Sequence, residues 1–303
     1  MAAWRAVVRV LRSPLDILDT VSCTLLPSHC RICDEPLLHL STSPVCLTCW
    51  QHLPTQSDSL CSLCGEALGL HAAFRRLEQW TQPGSTQPGL EALCEPCQRL
   101  RPPFEKAVAY GVYEGTLRAL IHLLKYEHVS AVAKPLGALL AQTIQAMPNL
   151  PQELTVVAVP LHPAKERQRG FNQTALLAEE AVRALRSGEG MRRFHIEHRV
   201  LRRKRVTESQ SGLTPHQRRR NLRGAFFVAL PEAIQNRAVL LLDDIYTTGA
   251  TARECTRTLL AAGAASVHVA TLARSQREGV AFWDAPSLHA GQAGNVPSLL
   301  QDF

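Results

Sequence analysis

Two groups of residues in this chain carry chemistry by their types and spacing. The first is the contiguous segment Val239-Leu-Leu-Leu-Asp-Asp-Ile-Tyr-Thr-Thr-Gly-Ala-Thr251. Its apolar run predicts a buried strand with Asp243 and Asp244 at the carboxyl end, where open α/β sheets bind ligands. Thr247, Thr248, Gly249, Ala250 and Thr251 follow as a short hydroxyl-rich loop that leads into a helix. Such a loop directs backbone N–H groups and hydroxyls at a phosphate, and the helix N-terminus adds positive potential. Paired acids beside an anion site make sense once a sugar lies between them. They can accept hydrogen bonds from vicinal hydroxyls, directly or through Mg²⁺-bound water. A chance surface or helix-capping pair is the alternative, and the full arrangement weighs against it.

The second group is eight of the ten cysteines, in four C-x-x-C pairs: Cys30/Cys33, Cys46/Cys49, Cys61/Cys64 and Cys94/Cys97. Two sulfurs three residues apart on a tight turn reach one metal ion, and two such turns complete a tetrahedral thiolate site. Eight ligands therefore suit two structural Zn²⁺ ions. Cys30-Arg-Ile-Cys-Asp-Glu-Pro-Leu37 and Cys61-Ser-Leu-Cys-Gly-Glu-Ala-Leu68 form an internal repeat. In it Asp34 and Gly65 follow the second cysteine, where left-handed backbone is expected. The repeat favours sequential pairing, Cys30 to Cys49 and Cys61 to Cys97, over interleaving. Four disulfides would need an oxidising compartment, and no export signal accompanies them. His29 and His52 read as bystanders, and Cys255 as a core residue in the helix after the loop.

These groups need elements to position them. The cysteine region, residues 30–100, has few periodic segments and reads as a double zinc ribbon. It has too little core to hold together without a staple. Before it, residues 1–29 carry an amphipathic helical pattern; within the region, 82–89 reads as an exposed loop. Residues 101–274 alternate strand and helix patterns. Strands are expected at 107–112, 155–159, 225–230, 239–242 and 266–272, and helices at 116–126, 132–146, 173–186 and 252–262. Alternation of this kind implies an α/β fold, a mostly parallel sheet with helices on both faces. Residues 275–303 lack periodicity and read as a poorly ordered tail.

Charge and composition narrow the classes further. The chain holds 33 basic and 26 acidic residues among 303, and the net +7 favours anionic partners. No apolar run reaches the roughly 18 residues of a membrane span. Without a secretory signal, a cytoplasmic protein is expected.

The segment from Val239 to Thr251 resembles the phosphoribosyl-diphosphate signature of type I phosphoribosyltransferases over thirteen contiguous positions. That resemblance implies ribose contacts for Asp243 and Asp244, and 5′-phosphate contacts for residues 247–251. Enzymes of that class that salvage 6-oxopurines have an aspartate at the first loop position. Thr247 stands there instead, which argues against that substrate class. Further motifs are Val159-Pro-Leu-His-Pro163, Arg167, Arg169-Gly-Phe-Asn-Gln173, Leu124-Lys-Tyr126, Gln210, Arg218 to Asn221, and Phe226. With the double zinc ribbon they make the chain similar to the ComF/GntX-like family of competence-associated proteins. The similarity runs from about Leu15 to Arg274 with no broken motif position. It implies a diphosphate-binding turn after Val159, with Arg167 and Arg169 as its cations. It also implies a flexible hood in the Arg-rich stretch 199–223, which holds Arg202, Arg203, Lys204, Arg205, Arg218, Arg219 and Arg220.

Two functional readings follow from the resemblance. In one the protein is a phosphoribosyltransferase, passing a phosphoribosyl group from phosphoribosyl diphosphate and Mg²⁺ to a nitrogen acceptor. Asp243, Asp244, Arg167 and Arg169 are then the catalytic set. In the other it is a non-catalytic DNA-uptake or DNA-utilisation factor whose zinc domain, with the basic stretch, contacts single-stranded DNA or a replication partner.

Overall fold

The computed structural model describes residues 28–37, 43–56, 59–68, 92–127, 129–188, 192–204 and 222–276, with Gln217 and Arg220. The expected helix at the N-terminus, the 82–89 loop, most of the tail, and Cys23, Arg205, Gln210, Arg218, Arg219 and Asn221 lie outside the described residues. Five parallel strands form the main sheet: β1 (Lys106–Val112), β2 (Glu153–Ala158), β3 (Arg193–Ile196), β6 (Ala238–Tyr246) and β7 (Ser266–Arg274). Their order is β1-β7-β6-β2-β3, and β4 (Leu201–Arg203) pairs with β5 (Phe226–Val228) as a separate antiparallel ribbon. Helices α1 (Leu47–Gln51) and α2 (Glu95–Arg99) belong to the cysteine region. After them come α3 (Gly115–Tyr126), α4 (Ala133–Gln145), α5 (Pro163–Arg169), α6 (Gln173–Ser187) and α7 (Ala250–Ala261).

A strand's period of two puts alternate residues on opposite faces, and both faces are buried here. Leu154, Val156, Leu240, Leu242, Ala270 and Leu272 pack with α3, α4 and α6. Val157, Val239, Leu241, Val267 and Val269 pack on the other face with α7 and the β4–β5 ribbon. The α/β fold with helices on both faces is therefore the observed one.

Three differences from expectation have physical causes. Strand β6 runs on to Tyr246, because β7 continues beside it with Ile245 opposite Ala273 and Tyr246 opposite Arg274. The two acids thus lie inside the strand and not after it. Helix α7 starts at Ala250, with Gly249 before it at φ 72°. Strands β3 and β4 and helix α5 went unforeseen, since three to seven residues hold too little of a period to read.

The two cysteine groups sit on opposite faces of this sheet. Cys30, Cys49 and Trp50 join the face of α3 and α4, whereas Cys61, Cys64, Cys94 and Cys97 join the face of α7. The chain between them crosses the edge strand β1: Thr55 bridges Gly111, and Val112 N–H donates to Pro54 O at 3.0 Å. A Cβ on Gly111 would lie 2.0 Å from that carbonyl oxygen, so only glycine fits. This crossing satisfies backbone groups that an open sheet edge leaves unpaired. No helix among the described residues is long and apolar enough to cross a membrane.

Candidate functional site

Strand order reverses between β2 and β6, so the chain leaving β2 and the chain leaving β6 turn to opposite faces. A crevice opens there, at the switch point where such sheets bind ligands. The cleft has a volume of about 330 Å³. The turn after β2 (Val159, Pro160, Leu161) lines one wall and Thr247, Gly249, Ala250, Thr251 and Ala252 line another. Gly249 adopts the left-handed backbone that turns β6 into α7, and no side chain caps that helix. Its first turn therefore keeps amides for a ligand. Thr248 is not part of the lining; its Oγ1 is buried with no hydrogen-bond partner among the described residues.

Asp243 and Asp244 both line the cleft, in different surroundings. Asp244 is buried, and its Oδ2 accepts from Lys125 Nζ at 2.8 Å and from Gln173 Nε2 at 2.9 Å. Asp243 Oδ1 accepts from the backbone N–H of Asp244 at 2.9 Å. Burial, and then the adjacent Asp244, push the Asp243 carboxyl up to about 8; Lys125 and Arg203 pull against that rise. One acid is thus fixed as an ion pair, and the other is poised to change charge near neutrality.

Lys165 and Arg169 of α5 and Arg203 of β4 line the same cleft. Arg169 Nη1 donates to Gln173 Oε1 at 3.1 Å and lies over the Tyr126 ring, 4.9 Å from its centroid. Burial, and then the charges of Arg203 and Arg169, lower the Lys165 pKa, as neighbouring cations in one cleft should. Arg167 is exposed on α5 and does not line the cleft. Of the Arg-rich stretch, Arg203 reaches the cleft while Arg202 and Lys204 are exposed. Gln173, Lys165 and Tyr126 had no role assigned from sequence. Gln173 and Tyr126 stood at the ends of recognised motifs, which was the available signal.

The eight cysteines gather as expected into Cys30/Cys33/Cys46/Cys49 and Cys61/Cys64/Cys94/Cys97, each with all sulfurs within 4.8 Å of one another. Sulfurs held tetrahedrally about 2.3 Å from one Zn²⁺ stand about 3.8 Å apart. Cys30–Cys49 at 3.8 Å, Cys33–Cys46 at 3.5 Å and Cys64–Cys94 at 3.5 Å fit that geometry. The internal repeat holds in the backbone as well. Cys30 N–H donates to Glu35 O and Cys61 N–H to Glu66 O, while Asp34 and Gly65 both have positive φ. His29 and His52 are members of neither group. Cys255 is buried in the core, and burial pushes its thiol up.

A five-stranded parallel sheet with its cleft at the switch point, fronted by two four-cysteine groups, defines a type I phosphoribosyltransferase-like protein with zinc-ribbon-like knuckles. Residues 124–283 match the family model described as uracil phosphoribosyltransferase. Over 253 residues the chain is 32% identical to the DNA utilization protein YhgH of Salmonella typhimurium, covering 82% of this chain and 98% of that one. The DNA utilization protein YhgH of Escherichia coli is 31% identical with the same coverage. Competence protein F of Haemophilus influenzae is 27% identical, covering 82% of this chain and 96% of its own. The chain belongs to the ComF/GntX-like family.

Proposed function

We propose that this protein binds phosphoribosyl diphosphate with Mg²⁺ in the cleft and transfers the phosphoribosyl group to a nitrogen acceptor. One observation carries the reading: the acid pair, Thr247 and residues 249–251 of the uncapped loop, and the cations of α5 and β4 converge on one cleft. Asp243 and Asp244 would take the ribose hydroxyls, and Thr247 to Thr251 the 5′-phosphate. Arg169, with Arg167 on the exposed side of the same helix, would hold the diphosphate. The acceptor's nitrogen lone pair forms the bond to the anomeric carbon as the carbon–oxygen bond breaks, and its electron pair leaves on diphosphate. The nitrogen then gives up its proton. Cations on the leaving oxygens stabilise the charge that develops there. Two structural zinc ions and a cytoplasmic location, where thiols stay reduced, accord with this reading.

Titration calorimetry with Mg²⁺ and phosphoribosyl diphosphate tests it. Changing Asp243→Asn and Asp244→Asn together should weaken binding, by about 1.5–3 kcal/mol for each charge-assisted hydrogen bond lost. Equal affinity in both proteins overturns the assignment. Diphosphate release across a panel of nucleobases then tests turnover.

The names of the relatives favour a second reading, contact with single-stranded DNA through the exposed cations. Arg202 and Lys204 are exposed beside a cleft-lining Arg203, so Arg202→Ala with Lys204→Ala separates DNA binding from the cleft. Log affinity should fall with log salt by about 0.7 units per phosphate neutralised, and the pair of substitutions should flatten that slope. No binding at low salt, followed by fluorescence anisotropy of a labelled oligonucleotide, removes direct DNA contact.

A further inference from the structure

The second cysteine group is joined to the phosphate loop by a continuous set of contacts, and Arg274 is at its centre. Arg274 ends β7 and is only 3% exposed. Its Nη1 donates to Cys64 O at 2.6 Å, and its Nη2 to Cys64 Sγ at 3.5 Å and to the buried Glu66 carboxylate. The guanidinium lies over the Tyr246 ring, 4.2 Å from the centroid. Tyr246 is its partner across the β6–β7 ladder. Phe104 meets the same ring edge-on at 6.3 Å. The hydroxyl end of Tyr246 fills the space beneath Gly249, where an added Cβ would fall 2.1 Å from Oη. Gly249 in turn is the residue whose positive φ turns the loop into α7.

We propose that Arg274 is a positioning residue that carries the assembled state of the second cysteine group to the anion loop. It rests on reading the 247–251 loop as the phosphate site. With Cys61, Cys64, Cys94 and Cys97 held together, the Cys64 carbonyl and the Glu66 carboxylate fix the guanidinium flat on Tyr246. Tyr246 then wedges the loop in its bound-ready shape. When the group falls apart, Cys64 and Glu66 shift, Arg274 loses its anchors, and the wedge loosens. The first group's contacts among the described residues run elsewhere: Arg31 pairs with Glu127 at the end of α3 and not with the loop, and Cys30, Cys49 and Trp50 pack on the opposite face of the sheet. Metal loss at one group therefore disables the loop, and metal loss at the other does not. A buried cation held by the Glu66 carboxylate and by the Cys64 carbonyl and Sγ suits this task, because removing either residue's contacts leaves it under-paired in low dielectric.

Amide hydrogen exchange on the full-length zinc-loaded chain, without ligand, reads the device directly. Arg274→Met and Cys94→Ser should each raise exchange across residues 246–252 about tenfold while residues 133–145 of α4 stay at the wild-type level. Glu66→Gln, which keeps the side chain's shape, should give a smaller rise in the same segment. Cys33→Ser, which breaks the first group, should leave 246–252 unchanged. Wild-type exchange at 246–252 in Arg274→Met overturns the proposal. So does an equal rise in Cys33→Ser, or a rise that spreads equally to 133–145. Calorimetry on the same proteins with Mg²⁺ and phosphoribosyl diphosphate is scored separately. A wild type that fails to bind refutes the ligand and leaves the exchange result to decide the relay.

Discussion

Raising the pH from 6 to 8 should tighten binding of phosphoribosyl diphosphate, because the Asp243 carboxyl sits at about 8 in the free protein. Only its ionised form can accept hydrogen bonds from ribose hydroxyls or from Mg²⁺-bound water. At pH 6 only a few molecules in a hundred or fewer carry that charge, and by pH 8 a large share does. Apparent affinity scales with the competent fraction, so it should rise by more than tenfold, on the order of 2 kcal/mol. Bound ligand lowers the carboxyl's pKa, and below pH 8 binding therefore releases a proton. Stability of the free protein moves the other way. The folded pKa lies above the ordinary 3.8, so the folded chain holds a proton that the unfolded chain gives up. That stabilising contribution is complete below about pH 4 and lost as pH rises through about 8. The assay is calorimetry at saturating Mg²⁺ in buffers of different ionisation enthalpy, with Asp243→Asn as the reference. The ligand's own phosphates titrate near 6 in both proteins, so the difference between them isolates Asp243. A wild type and variant with the same pH dependence and the same proton release would refute the assignment of that pKa to ligand binding.

Elemental analysis should find two zinc ions per chain, with all eight ligand cysteines recovered as thiols after chelation; one zinc or fewer with disulfides present overturns the metal assignment. Lys125→Met removes the 2.8 Å partner of buried Asp244 and should lower stability by about 3–5 kcal/mol, read as a shifted denaturant midpoint at constant slope. Adding Asp244→Asn should restore most of that loss, and no recovery would show that the pair is not what Lys125 supports. Gly249→Ala meets both a left-handed backbone and the Tyr246 ring, so it should destabilise by about 2–5 kcal/mol in the same assay. A change below 1 kcal/mol would mean that the loop is not wedged as described.

Sequence alone determined whatever short-range spacing encodes. Four C-x-x-C pairs named the eight sulfurs and their repeat favoured sequential pairing, while the structure decided which pairs gather together. The apolar run, paired acids and hydroxyl loop of Val239 to Thr251 named the strand, the turn and the helix, because each rests on contacts within a few residues. Alternation of strand and helix periods gave the sheet with both faces covered. Only the tertiary structure decided how those pieces act on one another. Gln173 reaches Asp244 across 71 positions of chain, and Arg274 reaches Cys64 across 210. No local pattern records such pairs, since a buried polar atom chooses its partner from whatever the fold brings near. The length of β6 was set by β7 beside it, and the charge state of Asp243 by burial and by the acid next to it. The placement of the two cysteine groups on opposite faces came from the crossing at Thr55 and Gly111. Spacing fixes which residues can share a turn or an ion, while packing fixes which solvent, charges and strands surround them, and those surroundings set their energies.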